Sequence, residues 1–187
     1  HLHAGDEVLI TEAEHASNVL PWFVLQKEIG IVVKYIELDD KNEVTIDNLR
    51  KAINSKTKVV SLAHVTNVIG DKRDIKAIAR LCHENNILFV VDAAQSISHE
   101  KIDVIDMDID FMAVSGHKMY GPTGIGFLYG KFDLLKEITP MEYGGGMNAI
   151  FTKDGYMELK DLPERLEAGT PNIEGVLGLC ESVKYLK

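Results

Sequence analysis

The chain is short of several things, and each shortage removes a class of function. It has only two cysteines, Cys82 and Cys180, far apart in its 187 residues. Two thiols cannot staple a small secreted scaffold, so a reducing, cytoplasmic setting is expected. Basic residues are outnumbered, with 20 Lys and Arg against 29 Asp and Glu and a net charge of −9. A surface of that sign does not attract nucleic acid or an anionic membrane, and neither is expected as a partner. No apolar run approaches the roughly 20 residues of a membrane-spanning helix. There is no repeat, no low-complexity tract and no Pro- or Ser-rich linker. H-E-x-x-H and paired C-x-x-C spacings are missing, so a zinc site has no framework and no metal is expected. The phosphate loop G-x-x-x-x-G-K-[ST], a strand-linked G-x-G-x-x-G and the G-x-S-x-G elbow are missing too.

What remains is an ordinary globular composition, 45% hydrophobic and 26% charged. The length suits one domain with a substantial core. The first residue is not Met, a strand pattern begins almost at once, and Lys187 falls inside a helical pattern. The expectation is the interior of a longer protein.

Strand-like and helix-like segments alternate. Residues 7–11, 31–38, 58–63, 87–91, 109–114 and 124–129 read as strands. Residues 18–29, with Ser17 as cap and Gly30 as stop, read as a helix, as do 45–53 behind Thr45 and 74–85. In the last of these Ile75, Ile78, Ala79 and Cys82 follow the i, i+3, i+4, i+7 rule. Residues 140–172 are expected to be mostly loop, and 173–186 a final helix. Cys180 continues the apolar stripe Ile173, Val176, Leu177, so both cysteines are expected in the core. Alternation of this kind predicts an α/β fold, a three-layer α/β/α arrangement around a mostly parallel sheet.

In such sheets ligands bind beyond the carboxyl ends of the strands. Polar groups follow four strands here: Glu14 and His15, then His64 and Asn67, then Asp92 and Gln95, then Ser115, His117 and Lys118. Asp92 directly follows a buried apolar run. It is either a cap at a strand end or an anion that must hold a cation or a protonated ring nitrogen. Lys118 lies in Ser115-Gly-His-Lys-Met-Tyr-Gly-Pro-Thr-Gly-Ile-Gly126, where Gly116 and Gly121 allow tight turns and Pro122 stiffens the exit. A lysine partly withdrawn from water can serve as an amine nucleophile. His15 and His64 are each either structural or a ring stacked on a flat cofactor. Gln95 can donate to a phenolic oxygen. Gly144-Gly-Gly146 is either structural or substrate-lining. One cofactor needs a Schiff-base lysine, a carboxylate on a pyridinium nitrogen, a stacked ring and small donors on a phosphate, namely pyridoxal 5'-phosphate.

The segment SGHKMYGPTGIGFLYG (residues 115–130) resembles the signature of class V aminotransferase-fold pyridoxal phosphate enzymes, in particular the Suf-type cysteine desulfurase and selenocysteine lyase branch. GDEVLITEAEHASNVLPW, HVTNVIG, DAAQSISH and EAGTPN extend the likeness, in order, over nearly the whole chain. The resemblance implies the large domain of fold type I, with residues 1–187 the central part of that cofactor-binding domain. It implies that Lys118 binds the cofactor covalently, Asp92 pairs with the ring nitrogen, Gln95 with the phenolic oxygen, and His15 stacks on the ring and takes part in catalysis. Asn67 would lie by the cofactor and the substrate carboxylate, and Ser115 and His117 on the phosphate. Thr170 would reach the phosphate of a neighbouring subunit, which implies a homodimer. The implied reaction converts L-cysteine to L-alanine and an enzyme persulfide for iron–sulfur cluster assembly, with a sulfur-acceptor protein downstream. The family's nucleophilic cysteine would lie outside these residues, leaving the isolated piece inactive. Gly144-Gly-Gly-Met-Asn148 departs from the commoner Gly-Gly-Gly-x-Met-Ile and leaves the subgroup open. The alternatives are another class V enzyme (a selenocysteine lyase, an aminotransferase or a kynureninase-like hydrolase) or a non-catalytic α/β module.

Overall fold

A computed structural model describes residues 1–187. Strands β1 (Glu7–Ile10), β2 (Val32–Tyr35), β3 (Thr57–Ala63), β4 (Leu88–Asp92), β5 (Phe111–Ser115) and β6 (Gly126–Gly130) form one sheet in the order β2-β1-β3-β4-β5-β6. All neighbours are parallel except β5 and β6, which are antiparallel. The antiparallel step follows from chain length, since the few residues between Ser115 and Gly126 are too few for a parallel crossover.

Helices α1 (Leu20–Ile29), α2 (Ile46–Ala52) and α3 (Ile75–Glu84) cover the two faces. On one face α2 and α3 press Leu49, Ile75, Ile78 and Cys82 onto Leu62, Phe89 and Val91. On the other, Trp22 and Leu25 of α1 pack on Val8, Ile10 and Val59. The arrangement is the expected three-layer one. Each fully buried Leu, Ile or Phe removed from water contributes about 1.5–3 kcal/mol, and β1 contributes three consecutive buried apolar residues, Val8, Leu9 and Ile10.

The caps explain where helices begin. Thr45 accepts from the backbone N–H of Asn48 at 3.1 Å, and Asp74 from that of Ala77 at 3.0 Å. Gly30 ends α1 at a φ of 77°. Ser17 is not the cap of that helix. A short 3-10 turn over Ala16–Asn18 precedes α1, and His15 is its cap. The expected loop 140–172 contains a hairpin, β7 (Asn148–Phe151) with β8 (Met157–Leu159). Its strands are too short, and too exposed, to show a period. A short helix α4 (Phe132–Lys136) was also not expected.

The final helix α5 (Ile173–Leu186) corrects a second expectation. It buries its small residues, Gly175 and Ser182, while Ile173, Val176 and Leu177 face outward. A Cβ on Gly178 would meet Pro122 Cγ at 2.4 Å, so the helix seats its glycine side on the loop after β5. Cys180 is therefore exposed rather than packed. Cys82 is fully buried as expected. Burial, helped by the charge of Asp110, pushes its thiol up to about 12.

Candidate active site

A cavity of about 330 Å³ opens where β4 and β5 end beside the turn that follows β1. Its apolar wall is Val90, Val91, Ala94, Ala113 and Val114, and its polar groups are His15, Ser17, Asn18, Asp92, Ser115, His117 and Lys118. Parallel strands aligned in register carry these groups to one edge. Asp92 pairs with Ala63 on one side and Ala113 on the other.

Lys118 stands on a 3-10 turn over Gly116–Met119, immediately after β5. The turn is held by backbone alone. Gly116 N–H donates to Ile125 O at 2.9 Å, and Gly121 N–H to Gly116 O at 2.9 Å. A Cβ on Gly116 would lie 2.8 Å from Ile125 O, and one on Gly121 2.8 Å from Gly116 O. Both glycines are thus required by close approach and not by a left-handed φ. That conformation falls on Tyr120, at φ 64°.

Asp92 is half-buried, and its Oδ1 accepts from Ala94 N–H at 2.9 Å. Lys118 is half-buried too. Neither takes part in any of the ion pairs of the chain. Carrying two partly desolvated charges in this way is costly unless they face a ligand. His15 lies at the mouth. Its Nδ1 sits 3.1 Å from Ser17 Oγ and accepts from Ser17 N–H at 3.2 Å, which fixes the ring against its own turn.

Of the eight expected site residues, the fold brings His15, Asp92, Ser115, His117 and Lys118 to this cavity. Asn67 lines a second cavity of about 480 Å³ that shares His15 with the first. Gln95 and Thr170 do not line the first cavity. Gln95 is half-buried one turn beyond Asp92, and Thr170 is exposed. Its loop is tied to the three-glycine loop by Gly169 N–H donating to Gly145 O at 2.8 Å, which favours the structural reading of Gly144–Gly146. His64 is buried and lines neither cavity. Burial holds its ring below the usual histidine range. Glu14 borders only the second cavity, and its carboxylate is wholly buried against Arg73. Ser17 and Asn18 line the cavity without having been expected there. Their only sequence signal is closeness to His15, and an Asn before an apolar helix reads equally well as a cap.

The residues present fit a flat, charged cofactor of the expected kind. A small apolar wall, an anchored carboxylate, a free ammonium and two small donors share one opening. Groups of His, Cys, Asp and Glu suited to a metal ion are absent.

The family model for aminotransferase class-V matches residues 1–187. The chain is 42% identical over its whole length to a Halalkalibacterium halodurans protein described as "Probable cysteine desulfurase", of which it spans 46%. A Staphylococcus epidermidis protein of the same description is 43% identical, and the chain spans 45% of it. Among solved structures, the cysteine desulfurase CsdA from Escherichia coli superposes with a TM-score of 0.96 at 38% identity, over all of this chain and 46% of that one. A cysteine desulfurase from Thermococcus onnurineus NA1 gives 0.93 at 37%, over 99% of this chain and 46% of that one. A C-DES variant with glycine covalently linked to its PLP cofactor gives 0.87 at 26%, over 98% and 50%. The chain thus spans about half the length of the relatives it matches. With its sheet order, its cavity and a family match along every residue, the chain belongs to the aminotransferase class-V family and has the fold of the cysteine desulfurases.

Proposed function

We propose that this chain is the cofactor-binding core of a PLP-dependent cysteine desulfurase. The observation that carries the reading is the pair Asp92 and Lys118, half-buried at one cavity with no charged partner of their own. Likeness along all of this chain to about half of proteins described as cysteine desulfurases supports the substrate.

Bound pyridoxal phosphate supplies an electron sink for the carbanion formed at the substrate α-carbon. The rest is the work of this chain. Lys118 Nζ holds the cofactor and moves the α-proton. Asp92, kept in place by Ala94 N–H, holds a proton on the ring nitrogen through its carboxylate. His15 offers its ring face, and Ser115 and His117 donate to phosphate. Gln95 donates to the phenolic oxygen, and Asn67, in the adjoining cavity, lies on the substrate side. Thr170 on its exposed loop reaches a second copy, so the active form is a homodimer.

In the overall step the Cβ–S bond of L-cysteine breaks and the sulfur joins a protein thiol as a persulfide. A proton takes its place at Cβ, giving L-alanine, so no outside oxidant or reductant is needed. Neither cysteine here suits that thiol. Cys82 is fully buried with its thiol pushed up to about 12, and Cys180 lines neither cavity. The thiol belongs to chain outside residues 1–187. The persulfide sulfur is destined for an acceptor protein in iron–sulfur cluster assembly, in the cytoplasm. The test is alanine and persulfide formation from cysteine by the full-length protein loaded with PLP, beside Lys118→Ala. No cysteine-dependent alanine from the wild type would overturn the reading.

A further inference from the structure

Behind His15 lies a buried polar cluster that touches neither Lys118 nor Asp92. Glu14, the residue before His15, has a fully buried side chain that receives four donors. Its Oε1 accepts from Thr11 Oγ1 at 2.8 Å and from Arg73 Nη1. Its Oε2 accepts from Asn18 Nδ2 at 2.9 Å and from the backbone N–H of Ala63 at 2.7 Å. Arg73 is buried in turn. It donates from Nη2 to Thr11 Oγ1 at 3.0 Å and from Nη1 to Ala63 O at 3.2 Å, and its Nε faces Asp71 Oδ2 at 3.5 Å. Asn18 accepts from Ser61 Oγ at 2.6 Å.

The partners sort by element. Thr11, Glu14 and Asn18 bracket His15 in the turn after β1, Ser61 and Ala63 belong to the end of β3, and Arg73 to the segment leading into α3. A buried ion pair with this many hydrogen bonds has few alternative arrangements of comparable energy, because any shift strands a charge away from water. The residues on both sides of His15 are therefore pinned to the rigid sheet, while His15 itself is exposed and makes only its local contact with Ser17.

We infer that Glu14 and Arg73 are positioning residues, whose buried pair fixes the backbone on either side of His15 and so presents its ring at the cavity mouth. Its consequence for the cofactor rests on the proposed function; the geometry of the clamp does not.

The test uses the full-length protein with Arg73→Lys, Glu14→Gln and the milder Thr11→Val. It is read first without cofactor, with histidine labelled at Cε1, by NMR; His15→Ala assigns the His15 signal. In the wild type His15 gives one dispersed resonance. In Arg73→Lys and Glu14→Gln it moves toward the position of an unstructured histidine or splits, with Thr11→Val between. The resonance of His83, held 2.9 Å from both Asp108 and Asp110 at the other end of the sheet, stays in place. A His15 resonance unmoved in both charge variants, or moved only together with that of His83, overturns the inference.

The second reading adds pyridoxal phosphate. Each charge variant loses roughly ten-fold in cofactor affinity together with its visible circular dichroism, as when the outer partner of a bound group's ligand is altered. In a His15→Ala background the same substitutions add less than about two-fold, the signature of residues acting through one another. A full additional ten-fold there overturns the route through His15. Should the wild type take up no pyridoxal phosphate, the proposed function falls, and the cofactor-free resonance still decides the clamp.

Discussion

On the cavity rim, Asp92 and Lys118 stand half-buried with no charged partner. Behind the rim, Glu14 and Arg73 are buried against each other, with every oxygen of the carboxylate bonded. Both pairs place a carboxylate after an apolar strand and a cation after a later one. The rim leaves its charges free for a ligand and carries the desolvation cost in the protein alone. The clamp bonds both oxygens of the Glu14 carboxylate internally and leaves only Arg73 Nε and Asp71 Oδ2 without a hydrogen bond, so it contributes rigidity and not a free charge. Which charges lack internal partners is the better guide to chemistry here than which charges are buried.

The comparison breaks most sharply at Lys118. Lys118→Ala should abolish the borohydride-trapped lysine adduct of the loaded full-length protein and all alanine formation, while the cofactor-free melting temperature stays within a degree or so of wild type, as for a side chain without structural partners. Loss of folding in that variant would mean the rim is structural after all. Asp92→Asn should keep cofactor binding but lower turnover by about a hundred-fold or more, since the sink depends on a protonated ring. Steady-state alanine production is the measurement, and near-equal rates would remove Asp92 from the site.

The clamp should behave in the opposite way. Arg73→Met leaves Glu14 charged and buried without its cation, which costs about 3–5 kcal/mol in such cases. Denaturant unfolding of the cofactor-free protein should show it as a lower midpoint with unchanged slope. A midpoint equal to wild type would show that water reaches Glu14.

The smallest effects concern the two thiols. Burial raises the titration of Cys82 to about 12, so its thiol stays protonated, and unreactive, across the ordinary alkaline range. Native-state alkylation of Cys82 should therefore stay slow from about pH 7 to about pH 10 and become fast only in denaturant. Cys180 should be labelled at once in the native chain of residues 1–187. Mass mapping distinguishes them. Cys180→Ala should leave cysteine turnover unchanged within about two-fold, since an exposed residue outside the cavity seldom matters.

Much of this architecture is legible in the sequence. The apolar strand runs, the cap Thr45 and the stop at Gly30 are local properties, set by sterics and hydrogen bonds within a few residues. The strand–helix alternation fixed the three layers, and the rule that ligands lie beyond strand ends pointed to Asp92, Ser115, His117 and Lys118. What misled was also local. The apolar stripe on α5 has the same spacing as that on α3, yet only α3 buries it. A helix chooses its buried face by what it meets, and Gly178 meets Pro122 closely enough to turn the stripe outward.

By itself, then, the sequence determined the elements, the layers and the residue types at the rim, because each follows from neighbours along the chain. Only the tertiary structure decided which charges were partnered. It turned Glu14 inward onto Arg73 and left Asp92 and Lys118 free, moved Asn67 into an adjoining cavity, and added Ser17 and Asn18 to the first. The reason is physical: a charge's partners are supplied by segments as distant as Glu14 and Arg73, and the free energy of a buried charge depends on those partners and not on the residues beside it in sequence.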